Sequence, residues 1–295
     1  MRKFSLFTFL AAAIVSMSAG FQTADAQFTL TPQVITIDFS TVPEEITVTQ
    51  ADADAFEGFQ PCVGQTINLH DFFIEAQETF NERIIGYRSD VPRILLNQLN
   101  GAVISVALDD VDGVGNTLAF AGPQETVTFD SAANNIFTVL RGGRAWAFTT
   151  IGAMTIDIND ICLMAMEEIF VETIVHEAMH AIGFGTLFEA SRFNNATNLF
   201  GQRNFTFNGF TLPRYRIDSQ IPFAQFIPLN QADGGGHWDP FDPFFDQVQN
   251  GMRDIMHPFA PPPGTETFIS GPTWAMFADL GYIVRGVNAP LLPTP

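Results

Sequence analysis

His176, Glu177 and His180 stand in the order H-E-x-x-H, within the stretch His176-Glu177-Ala178-Met179-His180-Ala181-Ile182-Gly183. On an α-helix, side chains four residues apart lie about 40° from each other on one face. Two imidazoles so placed can share one metal ion, and zinc is the usual occupant of such a pair. Glu177 lies next to them, where it can take a proton from a water bound to that ion. These residue types at this spacing point to hydrolysis by a zinc-activated water, with a peptide bond as the expected target. The competing reading is a surface helix that carries two histidines by chance. The chain holds only 5 histidines, which makes that coincidence rare.

A catalytic zinc takes three protein ligands and keeps one position open. Gly183 follows His180 by three residues and can adopt φ > 0 to stop the helix sharply. Beyond it, three residues are candidates for the third ligand. His237 ends the run Gly234-Gly235-Gly236-His237-Trp238, His257 adjoins Met256, and Glu189 lies nine residues after His180. A carboxylate ligand of that kind normally sits on a separate later helix, for which Glu189 lies too near. His70 opens a helix and reads as a surface or capping residue.

H-E-x-x-H-x-x-G resembles the opening of the metzincin signature. In most metzincins a third histidine follows the glycine by three positions, and Thr186 stands there in this chain. The leishmanolysin-like metzincins differ in that a long insert separates the glycine from a third histidine set in a Gly-rich H-W context, which His237 matches. Asp254-Ile255-Met256 is similar to the block that carries the family's Met-turn methionine, and Ser270 to Tyr282 is similar to its closing helix. Asp112-Gly113-x-Gly115-x-x-Leu118-Ala119-x-Ala121 resembles the segment along the cleft rim of leishmanolysin-like proteins and matrixins, where an edge strand pairs with extended substrate. The Gly-Ala-Met-Thr-Ile-Asp-Ile stretch ending at Ile158 fits as well. The resemblance spans about residues 67–286. It implies an α+β zincin catalytic domain, with a twisted mixed sheet, an active-site helix and an irregular C-terminal subdomain. It implies one catalytic Zn2+ on His176, His180 and His237, Glu177 as general base, and Met256 beneath the metal. The implied partner is a protein or peptide substrate. Thr186 in place of histidine leaves a second reading, an exported metal-binding or adhesion protein with a degenerate site. A zinc hydrolase acting on a non-peptide bond is a third.

The rest of the chain must place these groups. Residues 1–26 read as a signal peptide: Arg2 and Lys3, an apolar core from Phe4 to Val15, and Ala24-Asp25-Ala26 as cleavage site. That core is too short to span a membrane, and no later run of about 20 apolar residues exists. The mature chain is therefore expected to be secreted, extracellular or periplasmic, without a membrane span. The full chain's formal charge of −19 argues against binding a nucleic-acid backbone. Lys3 is the only lysine. Cys62 and Cys162 can form a disulfide, remain as two free thiols, or place Cys62 on the zinc of a latent form.

Residues 27–66 form an N-terminal segment, either a proregion or a first strand. Residues 67–183 form the N-terminal catalytic subdomain, residues 184–286 the C-terminal one, and residues 287–295 a tail. Alternation predicts strands at Val34–Ser40 and Ile46–Thr49, and a helix over Asp71–Tyr87 with Phe72, Ala76, Phe80 and Ile84 as its buried stripe. Ala102–Leu108 reads as a strand buried on both faces. Thr117–Ala121 reads as a strand closed by Gly122-Pro123, Ala153–Ile158 as another, and Cys162–Gly183 as one helix. A final helix is expected from Pro272 to Leu280. Asp109, Asp110, Asp112 and Asn116 carry oxygens of the kind that hold Ca2+, but they lack the EF-hand spacing and its closing Glu, and a plain turn is the simpler reading. Asp157 and Asp160 read as solvated or capping.

Overall fold

The computed structural model describes residues 33–130, 145–188, 194–197, 203–207, 211–221, 227–262 and 265–287. The expected signal segment, Glu189 and the tail from residue 288 lie outside the described residues. The architecture is mixed α+β, built on a mixed sheet. Its four strands are β1 (Ile35–Asp38), β2 (Ala102–Asp109), β3 (Ala119–Asp130) and β4 (Ala145–Asp157), in the order β1-β2-β4-β3. β1 and β4 run parallel to β2, with Ile35 opposite Ala102 and Val103 opposite Ile151. β3 runs antiparallel to β4 and forms one edge, with Ala119 opposite Ile156. Residues 35–38 are thus hydrogen-bonded into the main sheet.

Two helices cover one face, α1 (Leu69–Arg83) and α2 (Phe170–Ala181). α1 contains no glycine or proline, and its inward stripe is Leu69, Phe73, Ala76 and Phe80. Phe73 takes the place expected of Phe72. Phe72 lies at the flank and stacks on Phe170 at 4.7 Å between ring centroids. The helix stops four residues before the expected end because β-branched Ile84 and Ile85 turn extended. Residues Ile84–Tyr87 pair instead with Tyr282–Val284.

β2 alternates between buried and exposed residues, so only one of its faces is covered, contrary to the expectation of burial on both. β3 runs past Gly122-Pro123 to Asp130 through irregular register near Glu125. β4 begins eight residues before the expected start, its first five residues all buried. Trp146 and Phe148 stack there, and Phe148 meets Tyr282 edge-on at 5.4 Å. The expected helix over 162–183 is two, Ile161–Met166 and α2. Glu168 has φ 58° at the break, a conformation that nothing about a glutamate announces.

The closing helix α3 (Gly271–Leu280) starts on a Ser270 cap that accepts from Thr273 N–H, has Pro272 in its first turn, and ends at left-handed Gly281. Cys62 and Cys162 are disulfide-bonded, which removes both the free thiols and the latent zinc–Cys62 arrangement. Among the described residues, no helix is long and apolar enough to cross a membrane.

Candidate metal centre

α2 exists because its inner face is apolar. Phe170, Ile174, Val175, Ala178, Met179 and Ala181 are all buried, so the helix is fixed against the sheet and α1. On its other side it presents His176 and Glu177 to a cleft of about 510 Å³, with His180 buried one turn further on. One rim of the cleft is Gly115–Ala119, leading into β3, and the other is Ile255 with residues 257–261. His237 enters from a loop 57 residues after His180. The three imidazole Nε2 atoms converge at 3.0–3.1 Å from one another. A tetrahedral zinc with Zn–N bonds of about 2.0–2.1 Å sets its nitrogens roughly 3.3 Å apart, so the cluster is close to that size.

The outer nitrogens settle the tautomers. His176 Nδ1 donates to Ile255 O at 2.5 Å, His180 Nδ1 to Phe184 O at 2.9 Å, and His237 Nδ1 to Asp233 Oδ2 at 2.5 Å. A neutral imidazole has one proton, and each ring spends it on an oxygen, so all three Nε2 atoms are bare. Three lone pairs at 3 Å with no proton between them repel, and a buried acceptor left without a partner costs about 1–3 kcal/mol. A cation at their meeting point removes both costs. The donor set therefore fits a metal ion. It is the only group of three or more His, Cys, Asp or Glu among the described residues that converges in this way.

Electrostatics favour the same state. Burial lowers the pKa of His176 well below the ordinary imidazole value, and that of His180 to about 3, with the neighbouring imidazoles adding to both shifts. Neutral rings are what a metal requires. Burial raises the Asp233 pKa. The hydrogen bond from His237 and those from Gly236 and Gly235 N–H outweigh that and hold the carboxylate below its usual value.

Glu177 is 8 % exposed, and one of its oxygens lies 3.9 Å from His176 Nε2. Burial pushes its pKa up to about 8, against a hydrogen bond from Ala121 N–H on β3. A divalent cation on the histidines would oppose that shift.

Gly183 has φ 130°, as the stop after α2 requires. Thr186 donates its hydroxyl to His180 O at 2.7 Å, so the position that is histidine in most metzincins caps the helix end here. Met256 is fully buried. Its N–H donates to Asp254, its carbonyl accepts Trp238 N–H at 3.1 Å, and the carbonyl before it holds His176. The Met256 backbone is thus tied to the neighbour of one ligand and next to the support of another. His257 is buried in the wall of the same cleft but is not one of the three converging ligands: its Nδ1 accepts Phe259 N–H at 3.2 Å and its Nε2 lies 4.0 Å from Asp246. His70 bonds Val42 O at 2.9 Å and packs on Phe39.

Asp157 and Asp160 are fully buried rather than solvated. Asp157 caps the turn at Asn159 N and takes Asp112 N–H, while Asp160 takes Gly115 N–H. They pin the acidic turn, and Asp112 itself accepts from Thr117. Asp233, Ala121, Ile255 and Phe184 were not foreseen as supports. Only Asp233 had a visible signal, a carboxylate four residues before His237. Compared with known proteins, the chain matches no family model and no characterised sequence.

Proposed function

We propose that this chain is an exported zinc-dependent endopeptidase, a leishmanolysin-like member of the metzincins. The observation that carries the reading is the convergence of three bare imidazole nitrogens beside a buried Glu177, on the floor of a cleft that runs along an edge strand. A set of three imidazoles suits zinc and is a poor match for oxygen-seeking Ca2+ or Mg2+. The Cys62–Cys162 disulfide supports an oxidising destination.

A zinc ion held by His176, His180 and His237 would acidify a water and polarise a carbonyl oxygen. The protein's own groups do the rest. The unpaired edge of β3 offers backbone C=O groups, and N–H groups other than that of Ala121, to an extended peptide and lays its scissile carbonyl over the histidines. Glu177 takes a proton from the attacking water onto its carboxylate and returns it to the leaving amine nitrogen. Ala121 N–H holds that carboxylate in place.

The test is metal content together with casein cleavage, for the wild type and His237→Ala. One zinc per wild-type chain and chelator-sensitive cleavage are expected, both lost in the variant. Full cleavage by the variant would move the third ligand elsewhere. Stoichiometric zinc with no cleavage of any peptide by the wild type would favour the metal-binding or adhesion reading.

A further inference from the structure

Glu172 sits in the first turn of α2, four residues before His176 and eight before His180. It therefore shares their helix face, with its Cα about 6 Å from that of His176. It lines the same cleft. Thr267, also in the lining, hydrogen-bonds its carboxylate, yet Oε2 is buried without any partner. Burial raises the pKa of Glu172, and the charges of Glu75 and Glu168 add to the shift. An acceptor in that state lacks a cation or a donor.

The nearby protein cation does not serve. Arg253 lines the cleft, but its guanidinium is engaged by Asp246 at 3.3 Å and by Ala260 O at 2.9 Å. The wall formed by Pro258, Phe259 and Pro261 presents mostly carbon, against which the stem of a long basic side chain can lie.

We infer that Glu172 selects substrates with lysine or arginine beside the cleaved bond, its carboxylate turning the unpartnered oxygen into the cleft to receive the cationic head. The inference rests on the peptidase reading and names its substrate class.

The experiment scans all residues at the two positions flanking the cut of a cleaved peptide, with wild type, Glu172→Gln and Glu172→Lys. The wild type should favour Lys or Arg over norleucine at one flanking position by roughly 10- to 100-fold in kcat/KM, the worth of a charge-assisted hydrogen bond. Glu172→Gln should lose that preference and keep its rate on the norleucine peptide, and Glu172→Lys should turn it toward Glu. A uniform loss on every peptide would mark Glu172 as a structural helix-terminus carboxylate and overturn the inference. Peptide cleavage indifferent to basic residues would overturn it too, and leave the peptidase intact. Calorimetry of Ac-Ala-Ala-Lys-Ala-Ala-NH2 and its norleucine counterpart, on zinc-loaded Glu177→Gln with and without Glu172→Gln, reads the pocket even if nothing is cleaved. Tighter binding of the lysine peptide, abolished by Glu172→Gln, supports the inference, and equal binding refutes it.

Discussion

Replacing Asp233 by Asn tests the support of the third ligand without touching the ligand. Asp233 Oδ2 accepts from His237 Nδ1 at 2.5 Å, while Oδ1 accepts from Gly235 and Gly236 N–H at 3.0 and 2.9 Å. Asn has one oxygen for these two tasks. If the oxygen stays on the glycines, an NH2 donor faces the imidazole N–H. His237 must then move its proton to Nε2, the atom that should hold the metal. If the amide flips, the two glycine N–H groups lose their acceptor and the Gly-rich loop loosens. Either way at least one hydrogen bond to a charged group is lost, about 1.5–3 kcal/mol for each. At 1.36 kcal/mol per decade, that is roughly a 10- to 100-fold weaker metal site, the size usual for carboxylates behind metal-bound histidines. Equilibrium competition with a chromophoric chelator measures it, with circular dichroism to confirm the fold. Zinc affinity within twofold of wild type would refute the tautomer argument for the whole cluster.

Glu177→Gln should keep the zinc and lower kcat by roughly 100- to 10,000-fold, because the amide cannot carry the proton; a normal rate would remove Glu177 from the chemistry. Cys62 and Cys162 are 100 residues apart, and a loop of that length is worth about 4–5 kcal/mol in the unfolded state. Urea denaturation of the double Cys→Ser variant should show most of that loss, and an unchanged midpoint would contradict it. Burial raises the pKa of Asp254 to about 6, above its unfolded value. Its contribution to stability is therefore complete below about pH 4 and falls as pH rises to about 6, on the order of 3 kcal/mol at most. The wild-type minus Asp254→Asn difference in unfolding free energy should fall over that window, and a flat difference would refute it. Gly185 has φ 71° and a Cβ there would lie 2.4 Å from Gly236 O, so Gly185→Ala should displace the His237 loop and weaken zinc binding at least as much as Asp233→Asn does. Unaltered affinity by the same competition assay would show that the loop tolerates the shift.

The sequence made the helix-borne half of the site readable, because H-E-x-x-H is local: one element fixes both imidazoles and the carboxylate. His237 was readable only through its Gly-Gly-Gly-His-Trp context and the resemblance, since no periodicity links residues 57 apart. Edge strand β3 was read short because Gly122-Pro123 looks like a terminator. Ala121 N–H turns away from β4 to Glu177, so by alternation Pro123 also points its backbone nitrogen outward, where an edge strand does not need a donor. Asp157 caps as expected, but its burial and that of Asp160 are not legible for a similar reason. Buried carboxylates are rare unless backbone donors meet them, and the donors Asp112 and Gly115 lie 45 residues earlier.

An interrupted ligand set raises the question of what brings His237 home. The histidine itself contributes little, being half-buried at the end of the Gly-rich Asp233 loop. Its neighbour Trp238 is fully buried and fastened on every side. Its backbone N–H donates to Met256 O, its indole N–H donates to Thr273 at 2.9 Å, and Thr273 in turn bonds Asp254. Its ring stacks on Phe245 at 4.6 Å and meets Phe184 edge-on at 4.9 Å. Leu229 bridges its backbone, and Asn230 N–H takes His237 O at 2.9 Å. Burying such a ring contributes about 2–3 kcal/mol, more than the smaller, half-buried imidazole can supply. The same Asp254 also holds the N–H of Met256, one residue from the carbonyl that orients His176. Two of the three ligands are thus set by one buried hub rather than by the length of the chain between them. The insert can therefore be long and weakly patterned without loosening the site.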